Sequence, residues 1–129
     1  MNVIVIPMFS DNFCYYIYTN DIKDGAYVDL AEASRIPDFQ KEFGIEGQPV
    51  KHIMTTHKHW DHAGGNKEMQ AAFPDIVITG GEEDKVDGCT QPVVDKQSFE
   101  LFGGSVKVTC LHTPCHTRGH TCFYLEMDC

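Results

Sequence analysis

Residues 57–62 read His57-Lys58-His59-Trp60-Asp61-His62, and three of the seven histidines in the chain fall inside these six positions. From composition alone, the chance of meeting H-x-H-x-D-H somewhere in a chain of this length is about 0.002, so the pattern is specific. The stretch before it, His52 to Thr56 (HIMTT), reads as a β-strand, which places the histidines where a strand ends. Side chains two apart on an extended backbone share a side, so His57 and His59 can grip one metal ion through their imidazole nitrogens. A turn after His59 swings Asp61 and His62 toward a neighbouring position, where they can grip a second. Gly64 and Gly65 then allow a tight path into the next element.

A pair of ions needs more ligands than one loop provides. The further candidate is His116, in Thr113-Pro114-Cys115-His116-Thr117-Arg118-Gly119-His120, where a strand ends and a proline fixes the turn. Imidazole and carboxylate together suit Zn²⁺, Fe or Mn, and the adjacent Cys115 does not make a soft thiolate site. His52 and His112 lie in strand-like runs and read as satisfied core or surface histidines. For His120 two readings stand level, a group that orients a ligand and a structural histidine. Trp60 reads as a packing residue that rigidifies the loop, and Lys58 and Arg118 as solvated surface charge.

Working outward, Asn2 to Pro7 and Cys14 to Thr19 read as strands around a Ser10-Asp11-Asn12 turn, and Ala26 to Leu30 as a third strand of an antiparallel meander. Ile36, Phe39 and Phe43 fall at helical spacing, with Pro37 suited to the first turn and Gly44 to the position after the last. Asn66 to Phe73 reads as a helix ended by Pro74, and Ile76 to Thr79 as a short buried strand. Gly80 to Asp95 is acidic and turn-rich and reads as a surface loop. Ser98 to Phe102 and Ser105 to Leu111 flank Gly103-Gly104 as a hairpin, and Thr121 to Leu125 is the last strand.

The 129 residues carry 10 basic and 19 acidic side chains, a formal net charge of −9, and 42% of them are hydrophobic. That is room for one domain with an adequate core, and it excludes disorder and collagen. The acidic balance argues against a nucleic-acid partner. No window approaches the roughly 18 consecutive apolar residues of a membrane span, and Met1 to Pro7 lacks the form of a secretory signal. The expected location is cytoplasmic, where six cysteines stay reduced, with Cys14 and Cys122 as small buried hydrophobes.

The stretches TTHKHWDHAGG, LHTPCHTRGH and SDNFCYYI resemble the metallo-β-lactamase superfamily, and within it the glyoxalase II (hydroxyacylglutathione hydrolase) branch. The resemblance runs collinearly along residues 1–129. It implies an α+β fold, the αββα sandwich of that superfamily, with this chain matching its N-terminal half. It puts His57, His59 and His116 on one metal and Asp61 and His62 on the other, with a hydroxide bridging the two and oriented by Asp61. The implied cofactor is zinc, with Fe or Mn as substitutes. The implied partner is a small-molecule glutathione thioester of the S-D-lactoylglutathione type, hydrolysed to a hydroxy acid and free glutathione.

The family pattern also has a later aspartate bridging the metals, a later histidine and glutathione-binding residues, none of which has a matching position here. Asp128 is the carboxylate nearest in place, but it falls a strand too early. The alternatives that follow are another superfamily hydrolase, a persulfide dioxygenase with one iron, or a non-catalytic metal-binding fragment. A sandwich with unpaired strands is also expected to self-associate.

Overall fold

The computed structural model describes residues 1–127, so Asp128 lies outside the described residues. Nine strands form two sheets. The first has the order β1-β2-β3-β4-β5-β6 and the second β7-β8-β9. β1 (Asn2–Met8), β2 (Asn12–Tyr18) and β3 (Gly25–Val28) make the antiparallel meander expected from the β-branched and aromatic runs. β4 (His52–Thr55), β5 (Val77–Gly81) and β6 (Gln91–Val93) then add in parallel to β3. β4 and β5 are covered on both faces, which is why Ile53, Met54, Ile78 and even Thr55 and Thr79 are buried.

The connections explain the helices. α1 (Ile36–Glu42) carries Pro37 in its first turn, buries Ile36 and Phe39, and is followed by Gly44 at a φ of 66°. α2 (Trp60–Ala63) is a single turn, and α3 (Asn66–Ala72) buries Met69. α1 and α3 pack on one face of the first sheet around Tyr16, Tyr27, Leu30, Phe39 and Ile53. On the other face Ile17, Ala26 and Met54 meet Leu101, Val106 and Val108 of the second sheet. That sheet is the hairpin β7 (Ser98–Leu101) and β8 (Val106–His112), turned through Phe102–Gly104, with β9 (Thr121–Met127) antiparallel beside β8. Helices, first sheet and second sheet are thus three layers of the αββα sandwich. No helix among the described residues is long and apolar enough to cross a membrane.

Three expectations need correction. The segment from Gly80 to Asp95 is more than a surface loop: it completes β5, forms a short 3-10 turn at Glu82–Asp84, buries Asp84 and Val86, and contributes β6. Pairing with β5 recruits β6, and local periodicity does not announce it. Cys122 is exposed, because it points outward at alternate spacing on β9, whereas Cys14 is fully buried. Trp60 is 71% exposed and rests only its edge on Phe9, so it does not pack the loop from within.

Candidate metal centre

The site lies where β4 ends and the 113–120 loop returns to it. His57 lies two residues past the end of β4 and is buried, and His59, with extended backbone at ψ 145°, is the residue from which α2 begins. The start of β9 reaches across to the same point, since the Thr121 amide donates to the Thr56 carbonyl at 2.9 Å. Donor atoms of His57, His59 and His116 all lie within 4.8 Å of one another. Their rings stand nearly edge to face, with centroids 4.7 to 4.8 Å apart.

The hydrogen bonds around His57 fix its tautomer. Thr56 Oγ1 lies 2.8 Å from Asp29 Oδ2 and 2.9 Å from His57 Nδ1. A carboxylate only accepts, so the single hydroxyl proton goes to Asp29 and the Thr56 oxygen receives Nδ1–H. Nε2 of His57 is then a bare lone pair, and it is buried with no hydrogen-bond partner. Burial, reinforced by the neighbouring His62, outweighs the opposing pull of Asp29, and with His59 and His116 adding to it His57 is pushed down to about 4. A neutral imidazole with an unshared buried lone pair beside two more imidazoles fits a divalent cation.

Asp61 and His62 sit one turn further, on α2. The His62 ring centroid is 4.2 Å from that of His57. His62 Nδ1 lies 2.9 Å from Asp29 Oδ2, and that hydrogen bond raises its pKa although burial opposes it. Nε2 is left facing Asp61 Oδ2 at 3.6 Å. Asn12 Nδ2 donates to the Asp61 carbonyl at 2.6 Å and approaches its Oδ2 at 3.3 Å, tying the β1–β2 turn to α2. Gly64 and Gly65 have ordinary helical φ, −58° and −82°, so their role is space: a side chain on Gly65 would overlap the Leu30 carbonyl and one on Gly64 the backbone of α2. The His120 ring lies tilted, 5.3 Å from the His57 ring, and its Nδ1 contacts Thr113 Oγ1 at 2.8 Å. His112 points away, to the Arg118 carbonyl, and His52 lies under Phe99 at the far end of β4.

Two buried carboxylates here were not singled out in the sequence. Asp29, at the end of β3 with φ 56°, accepts from the Thr56 amide at 2.7 Å as well as from Thr56 Oγ1 and His62. A signal for it exists, a carboxylate directly after a strand. Asp84 gave none, being the third of three consecutive acids that read as solvated charge. Burial pushes its pKa up, but hydrogen bonds from Thr117, Gly119 and Lys58 prevail and hold it below the usual carboxylate range.

Residues 28–128 match the model of the metallo-beta-lactamase superfamily. The chain is 37% identical over 126 residues to the cytoplasmic hydroxyacylglutathione hydrolase of Arabidopsis thaliana, covering 98% of this chain and 47% of that protein. It is 34% identical over 128 residues to a hydroxyacylglutathione hydrolase-like protein of Gallus gallus, covering 99% of this chain and 43% of that one. The chain spans about half the length of the curated relatives it matches. Among solved structures, the subclass B3 metallo-beta-lactamase BJP-1 of Bradyrhizobium japonicum superposes with a TM-score of 0.74 at 22% identity, over 90% of this chain and 51% of that one. The di-zinc class B3 enzyme LRA-12 from an Alaskan soil metagenome gives 0.73 at 23% identity, over 90% and 51%. At such identities these likenesses speak for the fold.

Proposed function

The chain belongs to the metallo-beta-lactamase superfamily, and from that we propose that it serves the hydrolysis of a glutathione thioester, of the S-D-lactoylglutathione type, at a metal centre held by His57, His59 and His116. The observation that carries the reading is the buried, unpartnered Nε2 of His57 set among the donors of the other two histidines. Zinc is the first choice of metal, since three imidazoles with an open fourth position are a usual catalytic zinc site, and Fe or Mn are the substitutes. The names of the Arabidopsis and Gallus relatives support the thioester as substrate.

When bound, the metal supplies Lewis acidity at the thioester carbonyl and lowers the pKa of water. The side chains do the rest. His57 is kept neutral by burial and its ring is turned by Thr56, itself held by Asp29, and His62 is anchored by Asp29 so that its Nε2 faces Asp61. Asp61 is the catalytic carboxylate: held by Asn12, it would accept a hydrogen bond from the attacking water and, with His62, would hold a second metal ion. The water oxygen adds to the carbonyl carbon, the proton it loses passes by way of Asp61 to the departing sulfur, and the C–S bond breaks, giving a hydroxy acid and the glutathione thiol. No side-chain nucleophile is needed. The cytoplasmic location expected from the sequence is supported by the name of the Arabidopsis relative. Pairing of a second copy along β9 is the proposed macromolecular contact, on an edge with no partner strand among the described residues.

One observation favours a metal-binding role without turnover: His57, His59 and His116 form the one group of three donors found among the described residues, while Asp61 and His62 are engaged by Asn12 and Asp29. A single experiment separates the readings. The zinc-loaded chain is given S-D-lactoylglutathione, and free thiol and metal per chain are measured. Thiol release that disappears in His59→Ala is the expected result. Zinc bound without thiol release leaves the binding role, and one iron with oxygen uptake on a persulfide indicates the dioxygenase.

A further inference from the structure

Asp84 is 2% exposed, yet it lies in neither ligand loop. One of its oxygens, Oδ2, accepts from the Lys58 amide at 2.9 Å and from Thr117 Oγ1 at 2.7 Å, and the other, Oδ1, accepts from the Gly119 amide at 2.9 Å. Lys58 is the residue between His57 and His59, and Thr117 follows His116. One carboxylate therefore holds both stretches of backbone that carry the three clustered histidines. The approach is close by construction. A Cβ on Gly119 would overlap the backbone of Asp84, and one on Gly81 would overlap the Gly119 carbonyl, so the end of β5 and the 113–120 loop meet with no side chain between them.

We propose that Asp84 is a positioning residue of the metal centre, whose carboxylate clamps the His57–His59 loop to the His116 loop and so sets the separation of the ligands they present. The inference rests on the reading that these histidines hold a metal ion. A carboxylate suits the task because all three partners are donors and an ionised carboxylate offers only acceptors. A carboxamide in its place would turn an NH₂ toward at least one of those donors, leaving a buried N–H or O–H without an acceptor and the loops free to part. A mere packing residue would lower stability and leave ligand geometry alone.

The test uses the full chain, with zinc affinity measured by competition with a chromogenic chelator and the visible spectrum of the Co²⁺ form as a report of ligand geometry. Asp84→Asn is expected to weaken zinc binding by about 10- to 100-fold, the usual effect of removing a group that orients metal ligands, and to shift the Co²⁺ bands. Thr117→Val, which leaves the carboxylate and two of its three bonds, should move both readouts in the same direction by less. It decides the matter if Asp84→Asn does not fold. A folded variant with a lower melting temperature but unchanged zinc affinity and Co²⁺ spectrum overturns the inference alone. A wild-type chain that binds no zinc overturns the metal reading, and this inference with it.

Discussion

At His57 the two ring nitrogens face different chemistry, and the difference is made by a residue that is not itself a ligand candidate. Thr56 donates a hydrogen bond to Asp29 and accepts one from Nδ1–H, which leaves Nε2 bare in a buried place. Thr56→Val keeps the shape and removes both bonds. We expect zinc affinity to fall by about tenfold, in line with other groups that fix a ligand's tautomer, and stability to fall by about 1–3 kcal/mol because Asp29 loses a buried donor. Chelator competition and urea unfolding check the two numbers, and unchanged affinity would mean that Thr56 does not set the tautomer. The candidate group His57, His59 and His116, with Asp61 and His62 beside it, was legible in the sequence because residue type and spacing carry that signal. Asp29 and Asp84 were not, since what distinguishes them from solvated acids is the set of amides and hydroxyls that folding brings to them from 26 to 35 positions away.

Among the elements, β4 has the most varied duties: its C-terminal end delivers the histidine loop and its N-terminal end holds the partly buried His52. The meander, α1 and the β7–β8 hairpin were readable from β-branched runs, Pro37, Gly44 and the paired glycines, because in them local propensity and tertiary role agree. β6 was not readable. It is three residues long and contains Pro92, and only the ladder offered by β5 makes it a strand. His52 stacks on Phe99 at 5.3 Å and contacts Thr79 Oγ1 at 3.0 Å, and burial lowers its pKa from 6.5 to about 4. Between those two values the unfolded chain holds a proton that the folded chain refuses, so this contribution to stability is complete above pH 6.5 and is lost as pH falls toward 4. The slope is at most about 1.4 kcal/mol per pH unit. Urea unfolding of the metal-free chain at pH 7.5 and 4.5 should show a larger loss in the wild type than in His52→Gln. Equal losses would mean that His52 titrates as if it were exposed.

For the molecule as a whole, the two sheets do not cover each other evenly. Val3, Val5 and Pro7 of β1 pair with Ile17, Tyr15 and Phe13 of β2, so all six side chains point to the face that the second sheet packs against. The second sheet reaches Ile17 but not the rest, and Val3, Val5, Phe13 and Tyr15 remain 54%, 52%, 49% and 40% exposed. On the inward side of β9, Phe123 and Leu125 are half-buried and Met127 is 39% exposed. An exposed apolar face on β1–β2, in a fold whose β9 edge has no partner strand among the described residues, is the kind of surface that recruits dye molecules or another chain. The net charge of −9 opposes close approach of two copies, but Debye screening over about 8 Å at physiological salt reduces that repulsion. The 129-residue chain is therefore expected to bind an environment-sensitive hydrophobic dye under native conditions and to elute as a species larger than a monomer, more so at higher salt. Val5→Lys and Phe13→Lys together should abolish both while leaving the urea midpoint nearly unchanged, because the replaced side chains are half exposed already. A wild-type chain that sediments as a monomer at physiological salt and leaves the dye dark would show that the β1–β2 face does not recruit a partner.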